Sequence, residues 1–243
     1  MTAERTAIVT GAGKRVGAAI AAALVADGWT VLAHVHHEQD DVPNGAAKVV
    51  ADLTEPGCAN RIFAAAEPLP PVRLLVNNAA RFAWDGFGEI NTGEFGAHME
   101  VNVRAPALLI DRLASVHDGR DALVVNLLDS KLGAPNPDYL SYTLSKHALA
   151  ALTELAARSL APRSVRVNGI APALMLRSSG QSEENFEAMH SNNPLRRGVE
   201  AADVVDALRY LIGATAVTGQ IITIDAGQRF MALERDVQFL ERP

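Results

Sequence analysis

Apolar residues in this chain fall into short continuous blocks, separated by stretches in which they recur every three or four positions. The blocks at 6–10, 30–35, 47–51, 72–77, 122–128, 164–169 and 220–224 predict seven strands. After the first block, Val16, Ile20, Ala23 and Leu24 share one face of a helix that starts near Lys14. Further helices are predicted over 55–66, 93–116, 139–160 and 200–213. Strands that are apolar without alternation are covered on both faces, so the pattern predicts an α/β chain with a doubly wound parallel sheet and helices on both sides.

Two intervals break the alternation. Between residues 36 and 46 the turn signals Pro43 and Asn44-Gly45 leave room for a loop or a clipped helix. Between 171 and 198 the chain is rich in Ser, Asn, Gly and Pro around a short helix predicted at 182–190. An irregular excursion at the carboxyl edge of a parallel sheet commonly covers a ligand, so it is read as a substrate lid.

Composition narrows the class. At 243 residues and 49% hydrophobic, the chain suits a single domain over 1–243 with a sizeable core. Its net charge of −6 gives no basic field for nucleic acid or an acidic membrane surface and leaves a small molecule as the expected partner. One cysteine, Cys58, excludes an internal disulfide; the opening "MTAERTAIVT" lacks the layout of a secretion signal, and no apolar run nears the ~20 residues of a membrane span. The expected compartment is the cytoplasm.

Candidate chemistry begins at "TGAGKRVG", residues 10–17, between the first strand and the first helix. Glycines there let backbone N–H groups and the positive end of a helix dipole face a pyrophosphate. In "YTLSK" the four-residue spacing puts Tyr142 and Lys146 on one helical face, where the ammonium is expected to lower the phenol pKa from ~10 toward neutrality and make a usable general acid.

These two motifs stand in order with "DLT" (52–54), "NNAA" (77–80) and "NVRA" (102–105), and together they resemble the short-chain dehydrogenases/reductases over residues 6–227. The resemblance implies a Rossmann-type fold and a nicotinamide dinucleotide bound by Gly11, Lys14, Arg15, Val16 and Gly17, with Asp52 and Leu53 framing the adenine. Asn78 and Ala79 would line the nicotinamide ribose path, and Pro172 would complete the cofactor set. It also implies Tyr142 as proton donor, Lys146 as its partner on the nicotinamide ribose, Asn102 as anchor of a relay water, and a homotetramer joined through helices 93–116 and 139–160.

One position departs from the family. Thirteen residues before the tyrosine, where most members have serine, this chain has Asp129, with Ser130 next to it. A carboxylate only accepts hydrogen bonds, so it suits a substrate rich in N–H donors, or, when protonated, one that takes a proton on a ring nitrogen. Ser130 could serve only if a local bulge turned it inward. The same departure, with Arg15 in place of a glycine and an aromatic at Phe82, is found in the branch of pteridine and dihydromonapterin reductases. In that branch the arginine would face both cofactor phosphate and pterin, and Phe82 would stack on the pterin ring.

Cofactor choice rests on "HVHHE": no acid stands at the end of the second strand before Glu38, and His36, His37 and Lys14 are the candidates for the extra phosphate of NADP, which is expected over NAD. No metal is expected at His34, His36 and His37, because adjacent strand residues diverge. The expected reaction is NADPH-dependent reduction of a dihydropterin, dihydromonapterin or dihydrofolate ring by Arg15, Phe82, Asp129 and Tyr142. The alternatives are a carbonyl or alcohol oxidoreductase and a nucleotide-binding regulatory protein without turnover.

Overall fold

The computed structural model describes residues 5–175, 177 and 181–240. Seven strands form one sheet in the order β3-β2-β1-β4-β5-β6-β7: β1 Thr6–Val9, β2 Thr30–Val35, β3 Ala47–Val50, β4 Val72–Asn77, β5 Ala122–Leu127, β6 Val165–Pro172 and β7 Ile221–Ile224. Every pairing is parallel. Hence each strand returns through a crossover, and only the β2 to β3 connection, with Pro43 and Asn44-Gly45, makes it without a helix.

The strands' lack of alternation has the expected cause. Ile8, Leu32, Leu75, Val124 and Val167 point to one face, where they pack on α2 (Cys58–Ala66), α4 (Ala105–Val116) and α5 (Leu140–Leu160) through Ile62, Leu109, Leu113 and Ala156. Their neighbours Val9, Val31, Val76 and Val125 point to the other face, against α1 (Arg15–Ala26) and α7 (Ala201–Gly213) through Ile20, Leu24, Val204, Leu208 and Leu211. A fully buried Leu or Val side chain contributes about 1.5–3 kcal/mol, so these two layers carry the fold.

The helix predicted over 93–116 is broken. It runs as α3 (Thr92–Met99), then a wide π turn over Glu100–Arg104, then α4. Pro106 explains the break: it has no N–H, and its ring crowds the carbonyl of residue 102, four positions back, so the ladder widens. Ala105 N–H accordingly reaches Glu100 O, five positions back. The sixth strand also runs three residues beyond the predicted end, to Pro172, so the interval read as a lid begins inside the sheet. Beyond it lies α6 (Glu183–His190), close to the helix predicted at 182–190. Residues 176 and 178–180 of that interval lie outside the described residues.

Among the described residues no helix is long and apolar enough to cross a membrane.

Candidate active site

The strand order reverses direction between β1 and β4, and a ligand crevice is expected beyond the carboxyl ends of the strands there. A cavity of about 1240 Å³ occupies that place. All the sequence candidates line it except Asn102, Lys146 and Pro172.

At one end, the turn after β1 is shaped for close approach. Gly11 has φ +65°, and a Cβ on Gly17 would lie 2.1 Å from the Gly11 carbonyl oxygen. Thr10 Oγ1 accepts from Asn78 N and Ala79 N at 3.0 Å, and Asn78 Nδ2 donates to Thr10 O and Gly11 O at 2.9 and 3.1 Å. The Asn78 amide thus holds the turn while the residue lines the cavity. His34 holds it from the other side: Gly11 N–H donates to Nδ1 at 3.2 Å, while Nε2 donates to Ala51 O at 2.9 Å. Accepting from Gly11 at Nδ1 while donating from Nε2 requires the neutral ring, and burial pushes the His34 pKa down. The sequence alone did not reveal this role of His34.

Lys14 and Val16 line the same end. So do Leu53, Asp52, His36 and His37. The two histidines do not diverge as expected of neighbours on a strand: both stand beyond the end of β2, their rings stack 4.0 Å apart, and His36 Nε2 lies 3.7 Å from Asp52. Hydrogen bonds from Thr54 N and Oγ1 hold the Asp52 carboxyl below its usual range. Arg15 has a left-handed backbone, φ +55°, and its guanidinium donates to Arg177 O at 3.0 Å, tying the turn to the segment above the cavity.

At the other end stands the pair that departs from the family. Tyr142 Oη donates to Asp129 Oδ2 at 2.9 Å, and Asp129 also accepts from Lys131 N at 2.9 Å. Asp129, not Ser130, meets the phenol. Burial pushes the Asp129 carboxyl above its usual range. It also pushes Tyr142 well above its ordinary value, and the facing Asp129 adds to the shift. That corrects the expectation of a phenol lowered by Lys146: the ammonium turns away to donate to Leu127 O at 2.7 Å, and burial lowers it to about 8. The cost of burying the charged phenolate and its repulsion by a carboxylate outweigh attraction by a cation 5.5 Å from the ring centre.

Asn102 sits behind this pair. Its Oδ1 accepts from Arg81 N at 2.7 Å and its Nδ2 donates to Arg81 O and Ser145 Oγ at 3.0 and 2.9 Å, so its side chain is fully engaged in fixing the Arg81–Phe82 loop to α5. Pro172 is buried at the end of β6, and Ala173 lines the cavity beside it. Phe82 stacks on Tyr139 at 4.3 Å and meets Tyr142 edge-on at 4.7 Å, leaving one side of its ring toward the cavity. Asp85 fixes the start of α5 by accepting from Ser141 N at 2.9 Å and from the Ser141 hydroxyl.

Sequence reasoning missed the wall at this end, which is the chain's own carboxyl-terminal segment. Leu233, Asp236 and Val237 line the cavity; Asp236 pairs with Lys131 at 2.6 Å, and Arg235 bonds the Asp138 carboxylate through Nε and Nη2 at 2.8 and 2.9 Å. The apolar positions 233, 237 and 240 would have marked the segment as one that packs.

A parallel sheet with a glycine-shaped dinucleotide turn and a buried tyrosine and lysine one helical turn apart define an oxidoreductase that uses a nicotinamide nucleotide. The comparisons specify the family. Residues 11–229 match the family described as Enoyl-(Acyl carrier protein) reductase. The chain belongs to the short-chain dehydrogenases/reductases. It is 32% identical to pteridine reductase 1 of Leishmania tarentolae over 91% of this chain and 95% of that protein. It is 30% identical to L-xylulose reductase of Bos taurus, over 93% and 96%. Among solved structures it resembles the FolM alternative dihydrofolate reductase 1 of Brucella suis in complex with NADP, with TM-score 0.89, 35% identity, and coverage of 95% of this chain and 97% of that one.

Proposed function

We propose that the protein is an NADPH-dependent reductase of a pterin-type ring, acting on a dihydropterin such as dihydromonapterin, or on dihydrofolate. The observation that carries this reading is the Tyr142–Asp129 hydrogen bond at 2.9 Å, buried at the place where the family pattern puts a serine. Likeness to a pteridine reductase and to an alternative dihydrofolate reductase supports it.

The residues present fit the dinucleotide, since the collision a Cβ on Gly17 would make shows a turn built for close backbone approach. Gly11, Gly17 and the amino end of α1 would hold the pyrophosphate, with Leu53 and Asp52 at the adenine. Lys14, His36 and His37 would take the 2′-phosphate. Bound there, the reduced nicotinamide supplies a hydride. The protein's part is to orient the ring and deliver the matching proton. Phe82 offers a flat apolar face to the heterocycle, and Asp129 offers an oxygen to its N–H groups. Burial keeps a proton on the Asp129–Tyr142 pair to higher pH than on an exposed carboxyl, so a proton is at hand for the ring nitrogen beside the carbon being reduced. Lys146 anchors α5 to the end of β5 through Leu127 O, which fixes the phenol.

We assign the 171–198 interval the role of a lid, with Arg15 bonded to its backbone at Arg177, and we assign the protein a homotetramer through α3, α4 and α5. The exposed Phe95, Leu144 and Leu155 on those helices support that contact, and size-exclusion mass measurement tests it.

The deciding experiment follows NADPH oxidation with dihydropterins and dihydrofolate beside a panel of ketones and quinones, with Asp129→Ser in parallel. Pterin turnover that collapses in Asp129→Ser is the expected result. Ketone turnover without pterin turnover would establish the second reading, a carbonyl reductase, which the likeness to L-xylulose reductase favours.

A further inference from the structure

Four cations line the substrate half of the cavity among the described residues, and each already faces a carboxylate. Lys131 lies 2.6 Å from Asp236, Arg81 2.6 Å from Glu94, Arg177 3.1 Å from Glu183 and Arg229 3.3 Å from Asp225. The other two lining cations, Lys14 and Arg15, stand on the dinucleotide turn. Lys131 is the most enclosed of the four. Its side chain and that of Asp236 are both 12% exposed, and its remaining N–H groups donate to Asn136 Oδ1 and Asp138 O at 3.3 and 3.2 Å. The ammonium is therefore neutralised and fully bonded before any substrate arrives.

The carboxylate that neutralises it is carried on the last described segment of the chain, which is docked at several points. Arg235 bonds Asp138 at 2.8 and 2.9 Å, and Asp236 N donates to Asp138 at 2.8 Å. The Tyr139 phenol bonds Gln238, and Asn185 Nδ2 reaches Leu240 O at 2.9 Å. Through Tyr139 this segment touches the aromatic stack that includes Phe82, with Phe239 and Tyr139 rings 6.2 Å apart.

We propose that the Lys131–Asp236 pair on the docked carboxyl-terminal segment is a specificity determinant: it admits substrates whose side chain is uncharged and rejects those that carry a carboxylate appendage. The proposal rests on the pterin reading above and adds which pterins the site takes. A substrate carboxylate reaching this wall finds Asp236 and Lys131 already committed to each other and, among the described residues of the substrate half, no cation without a carboxylate partner, so it is rejected by loss of its hydration without a compensating charge. A hydroxyl-bearing side chain carries no charge to desolvate and can donate to a spare lone pair of the Asp236 carboxylate.

The test compares wild type with Asp236→Asn, which keeps the side-chain shape and removes the charge, leaving Lys131 available to an anion. The ratio of kcat/KM for dihydrofolate to that for dihydromonapterin should rise about tenfold or more. Arg235→Gln loosens the same segment but keeps the charges of Lys131 and Asp236, so a merely structural role predicts that it moves the ratio as much as Asp236→Asn does; a selective role predicts a much larger change for Asp236→Asn. Calorimetric titration with p-aminobenzoylglutamate, beside neutral p-aminobenzamide, reads the pair without turnover. Tighter binding of the anionic probe by Asp236→Asn, with the neutral probe unchanged, supports the proposal. Equal behaviour of the two proteins toward both probes, including no binding by either, overturns it. Failure of the wild type to reduce any dihydropterin overturns the pterin reading instead, and the probe titration still judges the pair.

Discussion

The two ends of the cavity are built by different means. The dinucleotide end is held by main-chain groups and short polar side chains at strand termini: Gly11, Thr10, Asn78 and His34 bond to one another's backbones across β1, β2 and β4. The substrate end is held by side-chain pairs between residues far apart in the chain, such as Asp138 and Arg235, 97 positions apart. A cofactor common to a whole family requires a fixed backbone, and steric constraint on a backbone leaves glycines as its trace. A substrate wall requires only matching side chains, which many loop sequences can supply. The first end should therefore fail through geometry and the second through chemistry.

Tyr142→Phe gives the sharpest separation. Losing the phenol hydroxyl should lower turnover by about a thousandfold, within the usual 10²–10⁴ range for a positioned acid. NADPH affinity, read by cofactor fluorescence, should stay within a few-fold, because the Tyr142 contacts lie at the substrate end with Asp129 and Phe82. Equal losses in both measurements would break the distinction between the two ends.

Asp129→Asn comes next, with turnover expected to fall about a hundredfold. Its pH profile carries more information. Burial raises the Asp129 pKa, so the protonated form is full at low pH and is lost as pH rises through that raised value. Wild-type kcat/KM should fall over this window with increasing pH, and the Asn variant should lose that limb because it has nothing to titrate. A profile that keeps the limb would assign it to another group, with Lys146, at about 8, the first candidate.

Gly17→Ala tests the other end. Its Cβ would lie 2.1 Å from Gly11 O and 2.5 Å from Asn78 Nδ2, and the first of these is backbone that cannot move without deforming the turn. Overpacking of this kind costs typically 1–3 kcal/mol, so NADPH affinity should fall roughly tenfold to a hundredfold. Residual turnover at saturating cofactor should keep the wild-type preference among substrates. A changed preference would mean that the two ends are mechanically linked, for which the Arg15 to Arg177 bond is the candidate route.

How far the sequence reached follows the same division. The five central strands were legible because burial on both faces keeps them largely apolar, as at Leu32 and Val124, and the partly exposed edge strands β3 and β7 through their short apolar runs at Val49-Val50 and Ile221-Ile222. The cavity's dinucleotide end was legible through Gly11 and Gly17. The π turn at Glu100–Arg104 was missed although Pro106 signalled it, since a proline two residues inside a helix also suits an ordinary start. The direction of the Tyr142 shift was misread because four-residue spacing shows that two side chains share a helical face, not how deeply they are buried or what faces them. The carboxyl-terminal wall left only its apolar spacing at 233, 237 and 240, which shows that the segment packs but not where: Asp236 finds Lys131 only once α5 and the loop before it are in place.

The smallest expected effect belongs to a residue at the legible end whose role the sequence hid. His34 lies on β2, buried, and joins the Gly11 turn to the end of β3 through both ring nitrogens. His34→Leu would leave Gly11 N–H and Ala51 O without a partner, at about 1–3 kcal/mol, which for a chain of this size is a melting-temperature loss of roughly 3–10 °C. NADPH affinity should weaken a few-fold through the loosened turn, with substrate preference unchanged. The sign of the pH effect follows from the lowered pKa: the folded protein binds the His34 proton less readily than the unfolded chain. The stability contributed by the neutral ring is therefore full above the unfolded value near ~6.5 and falls as pH drops toward the folded one. Wild type should lose stability across that window, while His34→Leu has no such proton to take up. The gap in melting temperature between the two should thus be wider at pH 7.5 than at pH 5.5. A gap independent of pH would mean that the ring's protonation does not disturb the turn, and that the stability of the dinucleotide end rests on Asn78 and Thr10 instead.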